Sequence, residues 1–458
     1  MIAVVREKGA GIDVHRDTVV VCWMWGPVNG EAQYEVQEFG TTVGELLKLK
    51  AWLQELGCRE VAMESTGIYW EPVFNVLCGE WEELKRLERV GRQRGLTEQE
   101  QQQQQALEQT AISLTLANPQ EVKNRRGHKT DKKDAWWLAH LFRHGMIRPS
   151  YVPDRPVREL RMLTRHRREK IRNVAQEKNR LQKILEQGNV KLRGVMSDLF
   201  GATGEAILRA MIQGKETDPV KLADLARGSL RSKREEIIAA LQGHRLPECY
   251  RLLLRQGMEH LAVLVQQIEE LDQQVANHIR DQGWATPYQN LQTIPGLKET
   301  AASEVLAEVG PQATVFPSAG HLSSWGGVCP GNDQSAGKRR SGRTGKGNPY
   351  FRATLNQSAW ASSRKKDSEF EKRYHHLSPK LKHKGAIIGV AHALVHAIFN
   401  VLTFGRPYVP PRVTGLDQQE VKRLIRHHTK RLNKLQAWLP KAPLTTKVLR
   451  RLDAIEHA

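Results

Sequence analysis

Two acidic residues, each set in or closing a short apolar run, constrain this chain more than any other feature. Asp13 lies in Gly11-Ile12-Asp13-Val14-His15, and Glu64 closes Val61-Ala62-Met63. Residues 10–24 read as two short strands around a turn, and Tyr34 to Phe39 alternates as a third strand. Thr42 to Leu56 has helical spacing, and Glu60 to Glu64 reads as a buried strand. An acid on a first strand and another on a fourth restrict the ways this segment can fold.

Strand, strand, strand, helix, strand is the opening order of an α/β RNase H-like fold, which adds further acids from a later helix. Asp131 and Asp134, in Lys129-Thr130-Asp131-Lys132-Lys133-Asp134, are three apart and fall on one helix face. Taken alone they also suit a helix start, with Thr130 or Asp131 as N-cap and acids near the positive end of the dipole. Beside Asp13 and Glu64 they predict a carboxylate cluster for Mg²⁺, which takes hard oxygen ligands. Two such ions about 4 Å apart stabilise the attacking and leaving oxygens of a phosphodiester displacement. His15 and Asp17 lie beyond the first strand and read as exposed turn residues.

The charge balance names the anion. Seventy Lys and Arg against 50 Asp and Glu leave +20 over 458 residues, a field that favours polyanions such as nucleic acid. The five cysteines (Cys22, Cys58, Cys78, Cys249, Cys329) are isolated and form no CxxC pair. That excludes a zinc ribbon and suits a reducing cytoplasm. The charged start, Met1 to Gly11, lacks a signal-type apolar core. Ala386 to Phe404 is apolar enough to raise the question of a membrane span, but it contains His392, His396 and Asn400 and reads as a buried helix. Without a following Glu, His392 and His396 do not make a zinc-protease pair and read as core or DNA-facing histidines.

Four regions are expected. Residues 1–153 hold the acids, with a solvated Gln-rich insertion near 81–110. Residues 154–284 carry two heptad-like stretches. Val157, Leu160, Ile171, Val174, Leu181 and Leu185 share one frame, and Tyr250, Leu254, Leu261, Leu264, Ile268, Leu271 and Val275 share another, broken at Gly257. These suit an antiparallel hairpin, a dimerising coiled coil, or two ordinary helices of a bundle. Residues 285–408 begin with Ile294-Pro295-Gly296-Leu297-Lys298, which fits either a helix-hairpin-helix that holds a phosphate or a plain αα-hairpin. Residues 409–458 read as a basic helical tail.

Within the third region, residues 332–348 are basic and nearly free of apolar side chains. The spacing from Gly337 to Gly342-Arg343 does not make a P-loop. Lys338, Arg339, Arg340, Arg343 and Lys346, with Lys129 near the acids, are the expected nucleic-acid contacts. By chemistry alone Ser335 is a turn residue.

The motifs together resemble the DEDD transposases of bacterial insertion sequences, which are related to pilin-gene invertases and guided by a bridge RNA. The resemblance rests on Gly-Ile-Asp-Val-His, Met63-Glu64-Ser65-Thr66-Gly67-Ile68-Tyr69-Trp70, Gly127-His128-Lys129-Thr130-Asp131-Lys132-Lys133-Asp134-Ala135, Ile294-Pro295-Gly296, Trp325-Gly326-Gly327-Val328 and Gln334-Ser335-Ala336-Gly337-Lys338. It covers most of residues 10–80, 112–200 and 285–405. It implies a RuvC-like domain binding Mg²⁺ through Asp13, Glu64, Asp131 and Asp134, a dimerising coiled coil and a C-terminal transposase domain. It makes Ser335 the nucleophile, in a site composed across protomers of a dimer that becomes a tetramer on DNA. Donor and target DNA and a guide RNA are the implied partners, and no membrane is implied. A water-using nuclease for Holliday junctions and a non-catalytic nucleic-acid-binding protein are the rival readings.

Overall fold

Burial on both faces builds the sheet. Ala10, Ile12 and Val14 of β1 (Lys8–Val14) face one core, while Gly9, Gly11 and Asp13 face the opposite side. The strand pairs antiparallel with β2 (Thr18–Trp25), which pairs antiparallel with β3 (Gln33–Gly40). On its other edge β1 runs parallel to β4 (Glu60–Glu64), and β4 parallel to β5 (Ser113–Ala117), giving the order β3-β2-β1-β4-β5. The computed structural model that carries this sheet describes residues 4–410 and Thr429, apart from 29, 66, 123–129, 215, 332 and 336–337.

One face is closed by α1 (Val43–Glu55), which buries Leu46, Leu49 and Leu53 and starts at Thr42, whose side chain accepts from the Glu45 amide. Beside it α2 (Trp70–Arg94) adds Val73, Phe74, Leu77 and Cys78 to the same core. The Gln-rich tract is helical: α3 (Glu98–Thr110) buries no side chain and is held by a capping box between Thr97 and Glu100. Its far end is tied down by Gln54 and Arg59, which donate to the carbonyls of Thr110 and Glu108 at 3.0 and 2.9 Å. The short α4 (Pro119–Val122) leads to α5 (Asp131–Arg143), which covers the opposite face.

Two long helices follow, α6 (Arg155–Gln187) and α10 (Glu248–Asp281). Leu160 shares a core with Val275 and Ile279, whereas Leu181 and Leu185 share one with Leu254 and Leu261, so the pair is antiparallel within one chain. At one end α7 (Ala202–Gln213), α8 (Pro219–Ala223) and α9 (Arg234–Leu241) form a small core around Leu208, Leu222 and Ile237. Heptad spacing misassigns two positions. Ile171 is 44% exposed instead of seated in the seam. Gly257, expected as a break, is where the helices meet most closely: a Cβ there would stand 2.3 Å from Leu181 Cδ2.

The other end of the pair joins α11 (Ala285–Gln292), α12 (Glu299–Val309), α13 (Ala319–Trp325), α14 (Pro349–Ser362) and α15 (Glu369–Phe404). The turn between α11 and α12 is an αα-hairpin whose Gly296 (φ +85°) lies against α14, with its Cβ position 2.2 Å from Ser362 Oγ. The close approach expected for a phosphate is thus made to α14. Non-helical backbone at Lys382, near Pro379, kinks α15. Beyond the kink its apolar stretch buries Ile387, Val390, Leu394 and Ile398, which accounts for a helix apolar enough to cross a membrane by length and composition. The expected basic tail lies outside the described residues except 409, 410 and Thr429.

Candidate active site

Three contacts fix α5 against the sheet and α4 and so aim its first turn. Gly11 is the closest: a Cβ there would fall 2.3 Å from the Ala139 nitrogen and 2.4 Å from the Ala135 carbonyl oxygen. Any larger residue would push the helix away. At the far end the buried Arg143 donates to the carbonyls of Arg6 and Gly26 at 3.1 and 2.9 Å, and burial lowers its pKa. Between them, Trp137 Nε1 donates to the Val122 carbonyl at 3.2 Å. The helix begins at Thr130, whose hydroxyl accepts from the Lys133 amide, so the helix-start reading holds, and the first turn carries Asp131 and Asp134.

The four acids gather on that face. Ile12 pairs with Met63 in parallel register, so Asp13 and Glu64 are the next residues along neighbouring strands. Ala62, two residues before Glu64, packs with Leu138 and Leu141 of α5, which places Glu64 on the α5 side as well. Asp13 is pushed above the usual carboxylate range, chiefly by burial; His15 opposes the shift, while Asp134 and Asp131 add to it by repulsion. Crowded anions of this kind suit a divalent cation.

The sequence reading missed the part played by His15. It is exposed in the turn as expected, yet its Nε2 lies 3.2 Å from Asp13 Oδ2 and 3.3 Å from Asp131 Oδ1. Asp13, His15 and Asp131 offer ligand atoms that all lie within 4.8 Å of one another. The signal was the spacing: residues two apart at a strand end share a face. Asp17 is held by Arg16 at 2.7 Å and fits its turn role.

The expected nucleophile lies on a second element. Asp333–Ser335 (β6) pairs antiparallel with Lys338–Ser341 (β7), with Ser335 opposite Lys338 and Gln334 opposite Arg339. The basic segment, nearly free of apolar side chains, is therefore a paired ribbon. Backbone pairing alone places Ser335, Lys338 and Arg339, with Arg340 at the register shift of the same strand; residues 336–337 and Lys129 lie outside the described residues. Arg343 and Lys346 are exposed.

The base of the hairpin is firmly built. Gly331 donates to the Arg343 carbonyl at 2.9 Å. Gly347 (φ +55°) approaches Gly327 so closely that a Cβ would stand 2.3 Å from the Gly327 nitrogen. Asn348 caps α14 by accepting from the amides of Tyr350 and Phe351, and its Nδ2 donates to Glu308 at 2.7 Å. Glu308, 2% exposed, also receives Arg165 at 2.9 Å and Arg161 at 3.3 Å from α6. Asp13 and Asp131 both make polar contact with His15.

Two family models match the chain. Residues 288–375 match the model described as Transposase IS116/IS110/IS902 family, and residues 91–189 match the DEDD model of IS110 type, described as Transposase. Asp131 and Asp134 fall inside the second match and Ser335 inside the first, whereas Asp13 and Glu64 precede both. No curated protein matches the chain.

Proposed function

We propose, on the premise that a chain carrying two IS110-type transposase domains is a DNA transposase, that it cleaves and exchanges strands through a transient phosphoserine link. The supporting observation is the meeting of Asp13, Glu64 and the first turn of α5 on one face, with Asp131 and Asp134 repelling Asp13. In this reading residues 1–153 are a RuvC-like, RNase H-like domain, 154–284 a helical region that also serves dimerisation, 285–408 the serine domain and 409–458 an accessory tail.

The donor set fits Mg²⁺, because carboxylates are hard ligands and their mutual repulsion is relieved by a divalent ion. When bound, Mg²⁺ would neutralise the scissile phosphate and polarise its oxygens. Asp13, Glu64, Asp131 and Asp134 would hold it, with His15 beside Asp13 and Asp131. Lys338, Arg339, Arg340, Arg343 and Lys346, with Lys129, neutralise the DNA backbone.

Ser335 Oγ then attacks phosphorus. The Oγ–P bond forms, the P–O3′ bond breaks, the serine proton leaves to solvent, and the departing oxygen takes a proton to become a 3′-OH. The 3′-OH of the exchanged strand attacks the phosphoserine in turn and frees the serine. Acids and hairpin meet across protomers, in an assembly on donor and target DNA guided by a bridge RNA.

Protein, RNA co-purified with it and end-labelled DNA are incubated with Mg²⁺ and run on a denaturing gel. Wild type gives a protein–DNA band and Ser335→Ala gives none. If Ser335→Ala still gives the band, the nucleophile lies elsewhere. The ligand group of Asp13, His15 and Asp131 also suits a second reading, a metal nuclease that uses water. Cleavage by wild type without any adduct would establish that one.

A further inference from the structure

The unexplained feature is a basic elbow between α14 and the kink of α15. Arg364, Lys365 and Lys366 follow α14, Lys372 and Arg373 ride on the first half of α15, and Lys380, Lys382 and Lys384 flank the kink. All eight are exposed, and among the described residues none forms an ion pair with a carboxylate. Two acids of the same stretch are engaged otherwise: Glu371 accepts from the Asp367 amide at 2.8 Å, and Glu369 accepts from the Tyr408 hydroxyl.

An aromatic seam joins the three segments into one patch. Trp360 of α14 lies 6.3 Å from Tyr374 of α15, centroid to centroid, and the Tyr374 hydroxyl is 2.5 Å from His383 Nδ1 at the kink. Arg373 is anchored by its Nε, which donates to the Gly389 carbonyl at 3.1 Å, and the residue is exposed. A field of unpaired cations on a braced scaffold attracts a polyanion.

We propose that the elbow is a second DNA-binding surface, which holds the phosphate backbone of duplex DNA beyond the serine hairpin. Duplex is favoured over an unpaired strand because the patch is mainly cationic and its rings already have partners: Arg364 sits 5.7 Å from the Trp360 centroid and His383 stacks on Tyr374. The hairpin precedes α14 and the elbow follows it. At 1.5 Å per residue the 14 residues of α14 separate them by about 20 Å, or about six base pairs at 3.4 Å each. That separation as a path for DNA rests on Ser335 as the nucleophile. The elbow contacts themselves do not.

The test uses the full-length protein, a labelled duplex long enough to reach both surfaces, and an unpaired RNA, each titrated over a range of salt. The triple variant Lys380→Gln, Lys382→Gln, Lys384→Gln should flatten the duplex salt slope by about 0.9 per lost contact, up to about 2.7 for all three. Replacing the same three residues by Arg should restore the slope, because only charge is required. An unchanged duplex slope in folded protein, a loss confined to RNA, or failure of the Arg variant to recover would each overturn the proposal. Adduct formation by wild type is read separately, so failure of the Ser335 reading does not imitate failure of the elbow.

Discussion

The acid face and the serine hairpin carry complementary halves of the proposed chemistry and are built by opposite means. Asp13 and Glu64 sit on strands whose alternate residues, Ile12 and Met63, are fully buried, so the core fixes the acids as it packs. The hairpin is a two-stranded ribbon held at its base, where Gly327 meets Gly347 and Asn348 reaches Glu308. Such a ribbon draws little stability from itself. In the proposed chemistry the contrast separates two tasks: the fold sets the cation site, and the nucleophile is presented on an arm anchored elsewhere.

The largest effects should fall on chemistry. Asp13→Ala, Glu64→Ala, Asp131→Ala and Asp134→Ala should each abolish cleavage while nucleic-acid binding persists, since each removes a metal ligand and no cation. Full cleavage by any two of them, checked for folding, would break the comparison at the acid face. Next come the supports. Glu308→Ala would leave Arg161 and Arg165 without their buried partner and should cost about 3 kcal/mol of unfolding free energy, measured by urea denaturation. Gly11→Ala should cost about 2 kcal/mol by forcing α5 off β1, and it should also weaken divalent-ion binding in calorimetry. Gly347→Ala should destabilise the hairpin base yet leave that binding intact. Equal losses of ion binding in the two glycine variants would mean the two regions are not separable.

Much of the acid face was legible because burial and chemistry repeat at known periods. Asp13 and Glu64 end up where strand alternation puts them, and Asp131 and Asp134 where a helix start puts them. Contacts between distant segments carry no such period. Nothing local marks Gly11 as the seat of α5, Glu308 as the acceptor for two arginines of α6, or Gly257 as the helix crossing. Heptad spacing placed Ile171 in a seam because it counts positions along one helix and not the partner's reach. The β6–β7 pairing was hidden because a basic, Gly-rich ribbon lacks apolar alternation.

Smaller effects sharpen the same contrast. Changing Lys338, Arg339 and Arg340 to Ala should reduce the salt slope of DNA binding by about 0.9 per contact without altering stability. The acid face should behave conversely. Because Asp13 titrates above its ordinary 3.8, the folded protein holds that proton more tightly than the unfolded chain. Stability in the absence of metal therefore falls as pH rises from 3.8 through the folded value. Asp13→Asn should then stabilise the metal-free protein at neutral pH and give no gain below 3.8. Melting curves across pH would show this, and a variant no more stable than wild type at pH 7 would contradict the crowding of charge.

The division of labour is tested most directly by mixing two inactive chains of different size, Asp13→Asn and Ser335→Ala, on labelled DNA with Mg²⁺ and guide RNA. Neither alone should yield a protein–DNA adduct. Together they should, with the label on the Asp13→Asn chain, because its intact serine meets the intact acids of its partner. An adduct from either chain alone, or none from the mixture when differently sized wild-type chains treated the same way remain active, would contradict a site shared between the acid face of one protomer and the hairpin of another.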